Sequence, residues 1–289
     1  MPSELLLPIR EVARLTGVNP VTLRAWERRY GLLTPQRTEK GHRLYSQTQI
    51  ERVQAVLHWL QRGASVSQVR GLLDAQPAAI TPPQGDWQPR CQQLVDAIGN
   101  LAQRPLDHLF NQAVALYPAV TVCEHLLLPL LDQLAERWRT RFNARLEQVF
   151  FHSWLRSKLG TRVHHNNHSL EGPAVLLASD NDQPFDSHLW LCAWLLSNSG
   201  FPVEILEWSV SGAQLHEAVL QLKPSAVLLC VGQKIDARAL QRALRPLQLP
   251  TLIGGPALSV HRDQLQALEL PNLHLFDSPQ MALQRLQQS

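Results

Sequence analysis

The spacing of apolar and polar positions changes character twice along the chain. At the start, Ile9, Val12, Ala13 and Leu15 recur at helical spacing in IREVARLTG, and Gly17 supplies a tight turn. Asn19-Pro20 then reads as a helix start: a side-chain acceptor followed by a proline whose missing N–H is not needed there. The helix continues through LRAWERRY, with Leu23, Trp26 and Tyr30 facing inward and Thr22, Arg24, Arg28 and Arg29 on the opposite face. After Gly31, LLTPQRTEKGHRLYS has two short apolar edges around a Thr-Glu-Lys-Gly turn and predicts a β-hairpin, a wing beside the second helix. In the segment that follows, His58 and Trp59 read as core residues.

The segment QPAAITPPQGDWQP, residues 76–89, holds four prolines and a glycine and breaks the helical pattern. From residue 90 to 165 helical stripes return, among them Leu94-Val95-Ile98, Leu106-Leu109-Phe110-Val114 and Leu126-Leu127-Leu130-Leu131-Leu134. From residue 173 onward four short apolar runs, PAVLLAS, VEILEW, AVLLCV and TLIGG, alternate with amphipathic stretches, the signature of βα units around a parallel sheet. The expected fold is therefore an α+β multidomain chain. A winged helix-turn-helix (1–76) and a linker (77–89) precede a four-helix bundle (90–168) and a flavodoxin-like, Rossmannoid α/β domain (169–289).

Charge sharpens this picture. Residues 1–75 carry 11 Lys/Arg against 6 Asp/Glu, whereas the other 214 residues carry 16 against 18. Ten of those eleven cations are arginine, the side chain best shaped for bidentate contact with phosphate and guanine. A short helix, a glycine turn, a second helix rich in arginine and a basic wing form the arrangement that enters a major groove. Composition adds that 45% of the 289 residues are hydrophobic and 18% charged, as in a soluble globular protein. No apolar run nears the ~18 residues of a membrane span. No basic n-region or cleavage site marks a signal peptide, so a cytoplasmic protein with no membrane partner is expected. Cys91, Cys123, Cys192 and Cys230 lie far apart with no C-x-x-C pair, which suits reduced, buried thiols and no metal site.

The stretch NPVTLRAWERRYGLLTPQRTEKGHRLYS, ungapped over about 28 residues, resembles the DNA-binding domain of MerR-family regulators, in particular the branch of the MlrA, CarH and LitR regulators, and most of all the MlrA type. The resemblance implies that the helix around Thr22–Arg29 reads the major groove while the wing approaches the minor groove and backbone. The residues it assigns to DNA are Asn19, Thr22, Arg24, Arg28, Arg37, Lys40, His42, Arg43 and Tyr45, with Arg70 near the backbone. Arg29 and Glu27 are left as a pair within the domain. The proline-rich segment leaves no room for the long dimerisation helix of many relatives, so a homodimer would have to form elsewhere.

The C-terminal half resembles the cobalamin-binding module of the same branch, with a telling departure. Cobalt suits an imidazole ligand, with a carboxylate behind it to fix the tautomer. The family supplies these through Asp/Glu-x-His-x-x-Gly after the first strand, where this chain has Gln183, Phe185 and His188. Asp186-Ser187-His188 is a shifted D-x-H, and His188 is read as a helix-packing residue rather than a ligand. In the bundle, Trp138 stands where the family caps the cobalt, but the Glu-His that should follow is Gln148-Val149. Trp138 is equally a core residue. Gly254-Gly255 matches a position close to the nucleotide tail but reads first as a simple turn at a strand end. The run His164-His165-Asn166-Asn167-His168 reads as a solvated linker, and Trp190 and Trp194 as sheet-packing residues. The SDNDQPFD loop lacks a dinucleotide fingerprint.

The implied function is a DNA-binding transcription regulator, an activator that engages promoter DNA and RNA polymerase and is not an enzyme. Its C-terminal half would bind a regulatory protein partner, or a small molecule other than cobalamin. The alternatives are a cobalamin- or light-responsive repressor and, remotely, a cobalamin-dependent methyltransferase-like module.

Overall fold

A computed structural model describes residues 6–74, 86–142, 144–180, 185–232, 235–255 and 258–288. The chain divides into two compact units, Met1–Gln148 and Val149–Ser289.

The first unit opens with β1 (Leu7–Pro8), α1 (Ile9–Thr16) and α2 (Pro20–Tyr30). Gly17 ends α1 in the left-handed region at φ 69°. The Asn19 side chain accepts from the Val21 N–H at 2.8 Å, with Pro20 at the first helical position. Strands β2 (Gln36–Arg37) and β3 (Arg43–Tyr45) form the expected wing, and β1 adds a third strand in the order β1-β3-β2. Helices α3 (Gln47–Gln61) and α4 (Val66–Asp74) follow, with Ser46 capping α3. His58, expected in the core, is exposed, and Trp59 is half-buried.

The helical region starts at α5 (Trp87–Gly99), inside the stretch 77–89 expected as linker; of that stretch, residues 77–85 lie outside the described residues. Helix α6 (Gln103–Leu116) is followed by α7 (Ala119–Val122), a π-helical turn (Cys123–Leu127) and α8 (Leu128–Thr140). Pro129 has no N–H to donate one turn back, and its ring crowds the carbonyl there; a locally wider turn relieves both. Helices α5 and α6 do not stand apart from the helix-turn-helix. The buried Trp26 indole of α2 donates to Leu116 O at 2.9 Å, Trp87 Nε1 donates to Gly63 O at 3.0 Å, and His125 Nε2 lies 3.0 Å from Gln61 O. Tyr117 Oη accepts from Val66 N at the start of α4. Three side chains of the helical region thus satisfy backbone groups that a free-standing DNA-binding domain would leave to water, and Trp26 in turn donates to a carbonyl of α6.

Helix α9 (Ala144–Asn167) crosses the division between the units at Gln148/Val149 and ends just before the α/β segment. The second unit is built on β4 (Val175–Asp180), β5 (Val203–Leu206), β6 (Ala226–Val231), β7 (Thr251–Gly254) and β8 (Leu273–Phe276), all parallel in the order β5-β4-β6-β7-β8. This is the flavodoxin-like order, with its switch point between β4 and β6. The register Val175↔Ala226 to Asp180↔Val231 brings the C-terminal ends of those two strands level. Helices α11 (Gly212–Leu222), α12 (Ala237–Leu244) and α13 (Leu258–Gln266) contribute Leu215, Leu240, Leu244, Leu258 and Leu265 to the core cluster that holds Leu176, Val227, Leu229 and Ile253. Helices α10 (Ser187–Asn198) and α14 (Pro279–Gln288) pack together. Trp190 and Trp194 on α10 are buried as expected, and the Trp190 indole donates to Glu207 at 3.1 Å.

The His164–His168 run corrects the linker reading: its first four residues are the last turn of α9. Asn167 pairs with the edge of the sheet, donating to Val203 O at 2.7 Å and accepting from Val203 N at 3.2 Å, while Asn166 donates to Ser197 Oγ. The asparagines are therefore structural, and His164, His165 and His168 are exposed. All four cysteines are free and buried. The Cys192 thiol beside it, together with burial, holds Cys230 well above the usual thiol range.

Candidate nucleic-acid interface and C-terminal pocket

Helix α2 is held between neighbours, packing against α1, α4 and α6, and this decides which side chains can meet DNA. Val21, Arg24 and Arg28 form an exposed stripe at i, i+3 and i+7, with Arg29 exposed beside it. Thr22 is not on that face: at 2% exposure it is buried together with Leu23 and Trp26. The reason is helical phase, since Thr22 and Trp26 are four residues apart and share a side. Asn19 is exposed, but its side-chain oxygen is engaged as the helix cap.

In the wing, Arg37, Lys40 and His42 are exposed, and Thr38 N–H bonds His42 O at 2.9 Å to close the turn. Arg43 and Tyr45 lie on one face of β3, two residues apart, and that face is turned inward. Tyr45 is fully buried, so the expected DNA contact is corrected to a core residue; burial, with the nearby Glu27 carboxylate, pushes its hydroxyl up to about 12. Glu27 on α2 pairs with Arg43 of β3 and, at 2.9 Å, with Arg37 of β2. Burial works to raise the Glu27 pKa, but Arg43 and Arg37 together outweigh it and hold the carboxyl below its usual range. Glu27 therefore braces the wing, a pairing across 10 and 16 residues rather than the Arg29 partner expected. The only sequence signal for it is an acidic residue inside a basic helix. Arg70 of α4 is exposed, and one of its guanidinium nitrogens would lie 3.3 Å from a Cβ built on Gly31, whose φ is 60°.

In the second unit, the loop after β4 leads to the candidate ligand positions. Gln183 lies outside the described residues. Phe185 is 7% exposed and packs its ring 5.2 Å from that of His152 on α9. Asp186 is 5% exposed; Oδ2 accepts from Ser179 Oγ at 3.0 Å and Oδ1 from Leu189 N at 3.1 Å, which makes it the N-cap of α10. His188, half-buried, is the second residue of that helix. Trp138 on α8 is half-buried, Gln148 accepts from Arg145 at 3.3 Å and Val149 is exposed. A Cβ on Gly254 would fall 2.3 Å from the Phe276 ring, and one on Gly255, at φ 119°, 3.1 Å from Val231 O. Both glycines thus answer to the sheet's own packing. Where the resemblance expects an imidazole stands the apolar ring of Phe185, which cannot ligate cobalt, and the adjacent Asp186 carboxylate serves as a helix cap. Among the described residues no cluster of His, Cys, Asp and Glu could hold a metal ion, and no helix is long and apolar enough to cross a membrane.

Comparison with known proteins follows the division of the chain. Residues 7–76 match the model of the MerR HTH family regulatory proteins, and residues 90–162 that of a B12 binding domain. The chain is 31% identical to the HTH-type transcriptional regulator MlrA of Escherichia coli over 212 residues, covering 71% of this chain and 82% of that protein. It is 30% identical to the HTH-type transcriptional repressor CarA of Myxococcus xanthus over 262 residues, 88% of each. Among solved structures, the monomethylamine corrinoid protein of Methanosarcina barkeri superposes with a TM-score of 0.54 at 16% identity, covering 70% of this chain and 98% of its own. At that identity the likeness is one of fold alone.

Proposed function

The chain belongs to the MerR family of helix-turn-helix regulatory proteins, and from that premise we propose a sequence-specific activator of transcription whose C-terminal half works without a cobalt-held cobalamin. The observation that carries the second part is the buried Phe185 beside a carboxylate, Asp186, engaged by Ser179 and Leu189. Activation rests on the likeness to the MlrA type. It would work by bending or untwisting promoter DNA for RNA polymerase, a deformation of about 1–6 kcal/mol offset by protein contacts. The C-terminal half then answers to a protein partner or to another small molecule.

Selection of a duplex from a random-sequence pool supplies the operator for the test. Transcription in vitro from a promoter carrying that operator should rise on adding the protein, with a distorted footprint. A fall would establish the repressor reading, the sign carried in the name of the CarA relative.

On the exposed stripe, Arg24 lies nearer the start of α2, where base edges are met, and Arg28 one turn on. Arg24→Ala is expected to relax base preference, at about 1–3 kcal/mol of lost discrimination. Arg28→Ala should weaken all sequences alike and make the salt dependence shallower by about one unit in the log–log plot. Repeating the selection and the salt titration with each variant separates the two roles. The same loss of preference in both variants would mean that α2 enters the groove in another orientation.

A further inference from the structure

Two of the wing's four basic candidate DNA ligands are already engaged within the protein. Arg37 and Arg43 share one carboxylate, that of Glu27, whose side chain is only 14% exposed beneath them. Arg43 is itself 18% exposed, whereas Arg37 is 53% exposed at the outer edge of the pair. A partly buried carboxylate stripped of its partners is costly, so a phosphate must offer more than simple attraction to draw either arginine away. The other basic groups of this face, Arg24, Arg28, Lys40 and His42, are exposed. The interface therefore holds two populations of positive charge, one presented and one tied to a carboxylate.

We propose that Glu27 is a specificity-determining residue, which withholds the Arg37 and Arg43 guanidiniums from the phosphates of unrelated DNA and so keeps non-specific binding weak. Non-specific affinity comes almost entirely from neutralised phosphates, while preference comes from base contacts and DNA shape. A carboxylate that holds two wing guanidiniums in ion pairs, and offsets one of their two charges, lowers the first without touching the second. Glu27 acts through the arginines and is a positioning residue. The inference rests on the DNA-binding reading above.

The test uses the full chain, the duplex selected by the wild-type protein, and an unrelated duplex of equal length, with fluorescence anisotropy over a range of salt concentrations. Glu27→Gln keeps the size of the side chain and removes its charge. It should bind the unrelated duplex more tightly, with a log–log salt slope steeper by about one to two units per bound subunit, and lose part of its preference for the selected duplex. Arg37→Gln serves as the second variant, since this exposed residue can change while Glu27 and Arg43 stay paired. Its slope on unrelated DNA should equal the wild-type slope, because the guanidinium it loses was held by Glu27 and made no phosphate contact. A slope shallower by about one unit in Arg37→Gln would show Arg37 free to bind phosphate and overturn the proposal. So would a Glu27→Gln protein that folds and leaves both slope and preference unchanged, or one that weakens both duplexes alike. If the wild-type protein prefers no duplex at all, it is the DNA-binding reading that fails.

Discussion

Replacing Trp26 by alanine is expected to destabilise the N-terminal unit by about 3–5 kcal/mol, the usual cost of emptying a tryptophan site in a core. The indole is fully buried and lies on the face of α2 opposite the exposed arginines, so its removal undermines the element that presents them. A second loss is added because Leu116 O is left in a buried place without its 2.9 Å donor. Trp26→Phe separates the two effects: most of the volume remains while the hydrogen bond goes, at a cost of about 1–2 kcal/mol. Hydrogen exchange along α2 and α6 as urea is raised reads the effect element by element. Both helices should lose protection together. If α2 alone loosens and α6 keeps its wild-type protection, the helical region is not fastened to the DNA-binding helix in the way Trp26, Trp87, Tyr117 and His125 indicate.

The second large effect is expected at Asp186. Asp186→Ala removes the cap of α10 and leaves the Ser179 hydroxyl and the Leu189 N–H buried without an acceptor. Cap loss and two orphaned donors together should cost about 2–4 kcal/mol. Asp186→Asn retains an acceptor and should cost about 1 kcal/mol. Denaturation of the full chain, followed through exchange of the α10 amides, gives the comparison. A loss below about 1 kcal/mol for the alanine variant would mean that this carboxylate is not structural and is free for other duty, including orienting His188.

What could be read from the residues, and what could not, divides along local and non-local physics. The start and end of α1 and α2 were legible because Gly17, Asn19 and Pro20 act on their own backbone. The wing was legible from its turn, and four of the five strands from their apolar runs. Strand β8 was missed because LHLF sits between Asn272 and Asp277, with exposed His274 interrupting its apolar side. Strand β1 was missed because two residues carry no period. Thr22 was placed on the wrong face because α2 was assumed to bury one side only, whereas α1 and α6 both pack on it. The prolines of residues 76–89 suggested separation between the DNA-binding and helical parts. Nothing local in Trp26 or Trp87 reports that their indoles reach Leu116 and Gly63, across 90 and 24 residues. In the C-terminal half the departure from the ligand motif was legible residue by residue, as Phe185 for imidazole. The role of Asp186 as a cap needed the fold, because Ser179 meets it from the strand before.

The most direct measurement is an absorbance titration of the purified full chain with adenosylcobalamin and with methylcobalamin, in the dark and after illumination, followed by gel filtration. With Phe185 at the imidazole position and Asp186 engaged as a cap, the spectra should remain those of the free cobalamins. No corrin should travel with the protein, and light should leave binding to the selected duplex unchanged. Stoichiometric retention with a shifted spectrum would contradict the account and put a cobalamin-responsive repressor in its place.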